Sequence, residues 1–437
     1  MVAKSHPFQE SLDYLLSLGN EVSAMKLGLD DISKLLSELG KPAVATLKVQ
    51  VAGTNGKGSV CAFLNSICLK AGIKTGLYTS PHLISITERI KINGVDIEEN
   101  EFAAIARVVR DTAESLVEKK ELVSIPTFFE QVTAIALIAF ARHGVELIIL
   151  ETGLGGRLDA TTAANAEIAA ITRIDYDHQE YLGETLREIA AEKAAIIHEG
   201  SKVVIGDQPP EAMGVIIARC ANLGIRPRLV DEVRTELCRD DSLNFVFETL
   251  KARYENIELG LAGKHQIENA KIAVLLAEAL QADFDISPTD IIDGLRQASH
   301  PGRLEFRDKF LFDGAHNLAG ARALRAYFDE FIDRPITIIF GAMKDKDAAG
   351  IAKVLFPKTG TIVLTQPDNT RAMTAAELAN LIPSEIGDDR LVRSGSVSEA
   401  IGFAQEVSPA DGIILITGSL YLVGEARRIL TRPSEQV

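Results

Sequence analysis

Residues 53–59, with the sequence Gly-Thr-Asn-Gly-Lys-Gly-Ser, combine glycines with one lysine and hydroxyl side chains. They follow a β-rich run at 47–52 and precede a helix that we predict to begin near Val60. Glycines let backbone N–H groups close around phosphate oxygens, and a helix N-terminus favours an anion. Lys57 adds a positive charge, and the hydroxyl of Ser59 is suited to Mg²⁺. The segment predicts a site for nucleotide phosphates formed by Gly53, Thr54, Asn55, Gly56, Lys57, Gly58 and Ser59.

This segment differs from the common phosphate-loop pattern G-x-x-x-x-G-K-[ST], because Gly58 separates Lys57 from Ser59. An ordinary glycine-rich turn is the alternative, and the preceding strand favours phosphate binding over it. A second glycine-rich run at 153–158 begins like a dinucleotide fingerprint but has Leu158 in place of the last glycine. A Rossmann-type NAD site is therefore disfavoured.

Two further predicted strands are followed by side chains that can bind a metal ion. Glu151 follows the run at 145–150, and His178 follows the run at 168–172. Because parallel strands present their carboxyl ends at one edge of a sheet, we expect both side chains to approach Ser59. A histidine is a less usual ligand for Mg²⁺ than a carboxylate. The alternatives are a solvated carboxylate at Glu151 and a helix-capping or core histidine at His178.

Lys193 lies in a predicted helix at 184–197, on a face shared with three isoleucines. From this pattern alone, a lysine that extends its amine to solvent is the default interpretation. The four cysteines, Cys61, Cys68, Cys220 and Cys238, have no C-x-x-C spacing, so we predict neither disulfides nor a cysteine metal site.

The elements that must position these residues alternate between short β-rich runs and helical segments, which is typical of an α/β protein with a largely parallel sheet. Strands are predicted at 47–52, 75–78, 145–150, 168–172 and 202–205, with helices at 126–143 and 184–197. A second series has strands at 310–312, 336–340, 361–364 and 413–416 and a helix at 318–331. We therefore predict a parallel-rich α/β domain over 1–298 and a smaller α/β domain over 299–437, divided at a polar Pro-Gly stretch.

The composition and charge of the chain limit the kinds of partner and location that we expect. Forty-six lysines and arginines against 61 aspartates and glutamates give a net charge of −15, which disfavours nucleic acid as a partner. No run approaches membrane-spanning length, and Met1 to Leu12 lack the apolar centre of a secretory signal. We expect a cytoplasmic protein that does not bind membranes.

Several motifs in chain order carry a resemblance to a known family. They are the segments 53–59, 79–83, 151–160, 177–178, 263–266 with Asn269, 301–303 and 313–317. Together they resemble the folylpolyglutamate/dihydrofolate synthases of the Mur ligase superfamily, over nearly the whole chain. The resemblance implies ATP-dependent ligation of L-glutamate to dihydropteroate or to the glutamate tail of reduced folates, through an acyl phosphate, by a monomer. It also implies that the domain over 1–298 is P-loop ATPase-like, that the domain over 299–437 is Rossmann-like, and that the active site lies in the cleft between them.

The same resemblance assigns roles to individual residues. It implies nucleotide contacts for Lys57, Asn269, Arg303 and Asp313, and two Mg²⁺ ions held by Ser59, Ser80, Glu151 and His178. It implies acceptor binding by Ser80, His82, Phe129, Glu130, Asp159 and Ala160. It implies catalytic roles for Lys57, His178, Lys193 and His316, with Lys193 carbamylated by CO₂ and K⁺ as a further cofactor. Two residues depart from the family pattern: Ala195 replaces a usual glycine, and Thr162 replaces a usual asparagine.

Three other functions each agree with only part of the sequence. A muramyl peptide ligase carries an extra domain before the glycine-rich loop, and 52 residues precede Gly53 here, fewer than a typical domain of roughly 100 residues. A nucleotide-driven switch gives no reason for the second domain with its Asp313–His316 motif. A purely structural role leaves the glycine-rich loops unexplained.

Overall fold

The computed structural model describes residues 7–19, 28–237, 244–382 and 386–431. The chain divides into two compact units. Of the described residues, unit 1 contains those up to Ser80, Ile86–Gly260 and Glu268–Ala298, and unit 2 contains Pro81–Ser85, Leu261–Ile267 and those from Ser299 onward. Cys238 lies outside the described residues.

Two short segments group with unit 2, although the predicted boundary at 298/299 puts them in the first domain. In segment 81–85, Leu83 packs so closely that a β-carbon added at Gly302 would lie 3.1 Å from its side chain. In segment 261–267, Ala262 packs against the hydrophobic core of unit 2. Contacts between residues far apart in sequence decide this grouping, and linear patterns do not show them.

Unit 1 is built on an eight-stranded sheet. Its strands are β1 (Leu47–Ala52), β2 (Thr75–Tyr78), β3 (Ile90–Ile92), β4 (Val95–Asp96), β5 (Leu147–Glu151), β6 (Ile168–Ile171), β7 (Lys202–Ile205) and β8 (Arg228–Leu229). Their order is β4-β3-β2-β5-β1-β6-β7-β8. The pairs β2–β5, β5–β1, β1–β6, β6–β7 and β7–β8 are parallel, and the pairs β4–β3 and β3–β2 are antiparallel. The central strands are almost entirely buried, as expected for a parallel sheet covered on both faces.

Helices cover both faces of this sheet. They are α1 (Pro7–Ser17), α2 (Asp30–Glu38), α3 (Lys57–Lys70), α4 (Glu99–Glu118), α5 (Phe128–His143), α6 (Gln179–Leu182), α7 (Leu186–Ala194), α8 (Pro210–Asn222), α9 (His265–Leu280) and α10 (Pro288–Gln297). One hydrophobic core combines α1, α2, α4 and α5 with β2 and β5, and another combines α7 and α8 with β6 and β7. Gly294 of α10 lets that helix approach α3, because an added β-carbon would lie 2.4 Å from the Cα of Ile67.

Unit 1 also contains a small antiparallel sheet that the sequence patterns did not predict. Its strands are β9 (Arg234–Leu237), β10 (Phe245–Glu248) and β11 (Arg253–Ile257), in the order β11-β10-β9. The fully buried carboxylate of Glu278 on α9 connects this sheet to the unit by accepting hydrogen bonds from Tyr254 and Arg228.

Unit 2 is a smaller α/β unit. Its strands are β12 (Glu305–Arg307), β13 (Phe310–Phe312), β14 (Ile336–Phe340), β15 (Ile362–Leu364), β16 (Leu391–Arg393) and β17 (Ile413–Thr417), in the order β12-β13-β17-β14-β15-β16. Its helices are α11 (Leu318–Phe331), α12 (Ala348–Leu355), α13 (Ala375–Leu381), α14 (Val397–Val407) and α15 (Leu420–Thr431). All strand pairs except β12–β13 are parallel, and separate cores lie on the two faces of the sheet. The predicted fold class, a parallel-rich α/β unit followed by a smaller one, is confirmed.

Element ends differ from the predictions by a few residues where capping decides them. Helix α5 begins at Phe128 because Thr127 and Glu130 form a capping box, and α7 begins at Leu186 because Thr185 and Glu188 form another. Within the described ranges, no helix combines the length and apolar character needed to cross a bilayer.

Candidate active site

The glycine-rich loop joins β1 to α3 and is closely surrounded. Gly53 and Gly56 have φ angles of 152° and 92°, which residues other than glycine rarely adopt. A β-carbon at Gly53 would lie 1.8 Å from the Oγ1 of Thr172, and one at Gly56 would lie 2.3 Å from the Oδ1 of Asn269. The structure thus brings Asn269, predicted to contact nucleotide, to the loop.

Backbone hydrogen bonds join this loop to the segment after β6. The N–H groups of Thr54 and Asn55 donate to the carbonyl of Arg173, at 2.9 and 3.3 Å. The hydroxyl of Thr54 donates to the carbonyl of Asp175 and accepts from the N–H of Asp175, both at 3.0 Å. Helix α3 begins directly at Lys57, three residues earlier than predicted, so Ser59 lies buried in its first turn.

Two lysine amines converge on the loop. The Nζ of Lys57 donates to the carbonyls of Gly53 and Thr54, at 3.2 and 3.3 Å, and the Nζ of Lys193 donates to the Gly53 carbonyl at 2.9 Å. Lys193 is 4% exposed, so the expectation that its amine extends to solvent is wrong. Burial, assisted by the charge of Lys57, lowers the pKa of Lys193 to about 7, while Asp177 opposes that shift.

Glu151 is the last residue of β5, one position beyond the predicted strand. It pairs with Val51 of β1 and is 6% exposed, which contradicts the alternative of a solvated carboxylate. Its Oε2 accepts a hydrogen bond of 3.2 Å from the N–H of Ser80, so two predicted metal ligands lie together. Burial and the charge of Glu151 raise the pKa of the Cys61 thiol while Lys57 lowers it, which places both charges near the start of α3.

His178 lies in the segment that follows β6. Its backbone has φ 49°, and its side chain makes no capping hydrogen bond to α6 although it stands at the N-cap position. Its N–H donates to Asp177 Oδ1 at 2.9 Å, and its Nε2 lies 3.8 Å from the same oxygen. Because β6 and β5 flank β1, the segments that contain His178, Glu151 and the glycine-rich loop leave the sheet at one edge.

Among the residues that the structure describes, no three His, Cys, Asp or Glu side chains are grouped as a metal site. Mg²⁺ bound with ATP takes one or two carboxylates together with phosphate oxygens and water, so such a group is not required. A buried carboxylate next to Ser80, with the hydroxyl residue Ser59 in the first turn of α3, is a set of oxygen donors that suits this ion.

Predicted acceptor-binding residues meet around Gly153. A β-carbon at Gly153 would lie 2.6 Å from the ring of Phe129 and 3.2 Å from the Oδ2 of Asp159. The carboxylate of Asp159 accepts from the N–H groups of Leu154 and Thr161, at 2.8 and 3.0 Å, and burial raises its pKa. Ala160, which follows, is buried in the same core to which Phe129 packs.

Glu130 has a role that the sequence did not reveal. Its Oε2 accepts from both the N–H and the hydroxyl of Thr127, at 2.7 Å each, and so caps α5. The spacing Thr-x-x-Glu before an apolar run was the available signal. The second glycine-rich run, 153–158, has packing reasons for its composition: a β-carbon at Gly156 would lie 2.7 Å from the carbonyl of Glu192.

Unit 2 contains its own group of predicted site residues. Asp313 is buried and accepts from the N–H groups of Leu304 and Ala315, at 3.0 and 2.9 Å. Arg303 lies beside it, since its guanidinium is 3.2 Å from the β-carbon position of Gly314.

Two histidines complete this group. The Nδ1 of His316 lies 2.8 Å from the carbonyl of Gly314, which fixes this nitrogen as the donor of the neutral ring. His265 was not predicted as a site residue. Burial lowers its pKa, while Asp313 raises and Arg303 lowers it, so it belongs to the same group. His82 also belongs to unit 2, in segment 81–85.

Comparison with known proteins identifies the family. Residues 51–277, more than half of the chain, match the Mur ligase middle domain, and residues 302–420 match the Mur ligase glutamate ligase domain. A dihydrofolate synthase/folylpolyglutamate synthase of Bacillus subtilis is 35% identical over 416 residues, covering 93% of this chain and 95% of the relative. The chain belongs to the folylpolyglutamate synthase/dihydrofolate synthase family of Mur ligases.

Solved structures of this family share the fold. E. coli FolC in complex with DHPP and ADP has a TM-score of 0.86 and 28% identity, covering 98% of each chain. The bifunctional synthase of Yersinia pestis, complexed with AMPPNP and a Mn ion, has a TM-score of 0.83 and 27% identity, covering 98% of this chain and 99% of that one. As a member of the folylpolyglutamate synthase/dihydrofolate synthase family, the chain is an ATP-dependent ligase that uses a nucleotide and a divalent metal ion.

Proposed function

We propose that the chain joins L-glutamate to dihydropteroate, to the glutamate tail of reduced folates, or to both, and converts ATP to ADP and phosphate. One observation supports this most directly: two lysine amines share the Gly53 carbonyl of a loop that opens α3, next to a buried carboxylate. Cationic amines and a helix N-terminus suit a triphosphate, and the carboxylate suits its metal ion.

The proposed reaction has two steps. The acceptor carboxylate attacks the γ-phosphorus of ATP, the bond to the β-phosphate oxygen breaks, and an acyl phosphate and ADP form. Lys57 stabilises the charge that spreads over the transferring oxygens. The amine of glutamate then attacks the acyl carbon, loses a proton and expels phosphate. No enzyme nucleophile is required.

The residues proposed to hold the metal ions are Ser59, Ser80, Glu151 and His178. Divalent ions would neutralise phosphate charge in the first step. Asn269, Arg303 and Asp313 are proposed to contact the nucleotide, and His316 to act beside them. Phe129, Asp159, Ala160, Ser80 and His82 are proposed to bind the acceptor, together with the segment that Glu130 caps. A K⁺ site, a cytoplasmic location and a monomeric state are further predictions.

Lys193 is proposed to become carbamylated. A buried amine with a pKa of about 7 is largely neutral in mildly alkaline solution, and only the neutral amine attacks CO₂. The neutral nitrogen bonds to the carbon of CO₂ and loses one proton to solvent, so the neutral amine becomes an anionic carbamate. This would place a negative group beside the glycine-rich loop, where it complements Lys57.

Mass analysis of products from parallel incubations tests the function. The protein is incubated with ATP, Mg²⁺ and glutamate, and with either dihydropteroate or tetrahydrofolate. We expect a product one glutamate heavier in at least one incubation, with ADP release that depends on glutamate. If neither acceptor gains a glutamate, the proposal is contradicted. ADP release that does not depend on glutamate would favour the nucleotide-switch alternative.

A further inference from the structure

Gln50 is a fully buried polar residue on β1, three positions before the glycine-rich loop. The two N–H groups of its amide donate to the hydroxyl oxygens of Thr161 and Thr162, both at 2.9 Å, and the hydroxyl oxygen of Thr152 lies 3.2 Å from the same nitrogen. Thr152 directly follows Glu151, whereas the other two threonines lie in the short 3₁₀ helix Ala160–Ala164. One amide therefore connects the strand beneath the phosphate loop to the turn that contains two proposed acceptor-binding residues.

The hydrogen-bond directions require a donor at position 50. The hydroxyl of Thr161 donates to Asp159 Oδ1, and the hydroxyl of Thr162 donates to the carbonyl of Gly156 at 2.7 Å. Both hydroxyl protons are thus committed, so their oxygens face Gln50 as acceptors. Two hydrogen-bonded paths lead from Gln50, one to the carboxylate of Asp159 and one to the loop before it.

Thr162 is one of the two positions, with Ala195, at which this chain departs from the family pattern. A threonine hydroxyl accepts one hydrogen bond and donates another, so it fills with one group the two functions that an amide side chain divides between its oxygen and nitrogen. In this chain the donor to the Thr162 hydroxyl oxygen is the amide of Gln50, at 2.9 Å. Gln50 and Thr162 thus form a buried hydrogen-bonded pair.

Stability alone gives a weak reason for this arrangement. The Oε1 of Gln50 is buried and has no hydrogen-bond partner among the described residues. A buried carbonyl oxygen without a partner costs free energy, and an apolar side chain of similar length would avoid that cost in a strand interior. Gln50 leaves a buried oxygen without a partner in the described part of the chain, yet its amide is bonded to the turn that contains Asp159 and Ala160. This combination indicates a functional constraint on Gln50.

We propose that Gln50, acting through Thr161 and Thr162, is a positioning residue that holds the Asp159–Ala160 turn in the conformation that binds the acceptor. The inference deepens the proposed function and depends on it. Among the described residues, the hydrogen bonds of the Gln50 side chain are to threonines and not to the proposed nucleotide contacts or to the lysines. Its loss should therefore weaken acceptor binding while leaving ATP binding largely intact.

The experiment compares Gln50→Met and Thr162→Val with wild type in the full-length protein. The first removes the donor at similar length, and the second removes the hydroxyl at similar shape. Michaelis constants for the acceptor used by the wild type and for ATP are measured separately, and thermal unfolding is recorded for each variant. Thr162→Ser, which keeps the hydroxyl, serves as the conservative variant.

Gln208 supplies a matched control, because it is also buried in unit 1 but its hydrogen bonds are to the segment that follows β6. Its Nε2 donates to the carbonyl of Thr172 at 2.8 Å, and its Oε1 accepts from the N–H of Ile174 at 2.9 Å. Gln208→Met removes a buried amide of the same kind beside the segment that holds the phosphate loop. We expect it to alter the KM for ATP more than the KM for the acceptor.

Gln50→Met is expected to raise the acceptor KM about tenfold, the loss expected for buried hydrogen bonds, with the ATP KM changed less than about twofold. Thr162→Val should also raise the acceptor KM, and Thr162→Ser should keep the wild-type values. The variant that combines Gln50→Met with Thr162→Val should raise the acceptor KM by less than the product of the two single increases. Equal changes in both Michaelis constants, or an unchanged acceptor KM in folded Thr162→Val, would overturn the inference. A wild-type protein that forms no product with either acceptor would remove the proposed function and this inference together.

Discussion

At the residue scale, the carbonyl oxygen of Gly53 accepts from two lysine amines, Lys57 and Lys193. Their mutual repulsion contributes to the lowered pKa of Lys193, after burial. Lys57 belongs to the first turn of a helix, and a triphosphate would offer it a stronger partner than two carbonyls. We therefore predict that Lys57 is the phosphate ligand and that Lys193 is the group whose protonation state changes.

Replacement of Lys57 by alanine should reduce turnover by about 10² to 10³-fold, as expected when one charged donor to a transition state is lost. The hydrogen bonds that Lys57 makes in this structure are to carbonyls of the loop, so the melting temperature should change little. The measurement is glutamate-dependent ADP release, together with a thermal scan. Lys70→Ala, at the exposed end of the same helix, is the control that should keep full activity. Wild-type turnover in Lys57→Ala would show that the loop has been misassigned.

The lowered pKa of Lys193 predicts a specific pH dependence of stability. Below about pH 7 the amine is protonated in the folded and the unfolded chain, and its buried charge destabilises the fold fully. As pH rises from about 7 toward 10.5, the unfolded chain binds a proton that the folded chain has lost, so stability should increase by up to about 1.4 kcal/mol per pH unit. Lys193→Met should lack this increase.

The measurement is urea unfolding of both proteins between about pH 6 and 9 in CO₂-free buffer. If the free energy of unfolding rises equally with pH in wild type and Lys193→Met, the lowered pKa of Lys193 is contradicted. Lys57→Ala offers a second check, because removal of the neighbouring charge should move the start of the increase to higher pH. Adding ¹³C-labelled bicarbonate should then produce a carbamate carbon signal in wild type that Lys193→Met does not show.

At the element scale, the strand–loop–helix unit depends on Gly53. Alanine at this position would place its β-carbon 1.8 Å from the Oγ1 of Thr172, at a φ of 152°. Because that contact cannot be tolerated, the loop must move away from the segment after β6, and nucleotide affinity should fall by at least about tenfold. Titration of Mg²⁺-AMPPNP by calorimetry measures this loss. Gly214→Ala in α8, which has nothing within 4 Å of the added carbon, should bind normally and be slightly stabilised. Normal binding by Gly53→Ala would show that the loop is not held as described.

Sequence patterns were most informative for elements with strong periodicity. Strands β1, β2, β13 and β14 have the predicted bounds, because each is a short apolar run between turn residues. The sheet β9-β10-β11 was missed, since its strands mix charged and apolar residues and depend on contacts with α9. Lys193 was misjudged for a related reason: its helix pattern shows an apolar face, but only the fold shows that the carbonyl of Gly53 lies against that face.

At the scale of the whole molecule, two units with separate cores carry different parts of the predicted site. Lys57, Glu151 and Asp159 belong to unit 1, and Arg303 and Asp313 belong to unit 2. Patterns around single residues pointed to Lys57 and Glu151, and the resemblance to the family implied the other three. Neither predicted that segments 81–85 and 261–267 group with unit 2, because that depends on packing of single side chains such as Leu83.

The net charge of −15 leads to a prediction about long-range electrostatics. Each glutamate added to a folate consumes one carboxylate and supplies two, so acceptors with longer tails are more negative and are repelled more strongly by an acidic protein. Salt screens this repulsion over about 10 Å at 0.1 M. We expect kcat/KM to rise with ionic strength between about 0.01 and 0.1 M, more steeply for tetrahydrofolates with longer tails and least for dihydropteroate, while kcat at saturation stays constant. Choline chloride should be varied at fixed K⁺ and Mg²⁺, so that binding of either ion does not imitate screening. A kcat/KM that falls as salt is added would show that the local positive charge of Lys57 and its neighbours governs association, and that the net charge of the molecule does not.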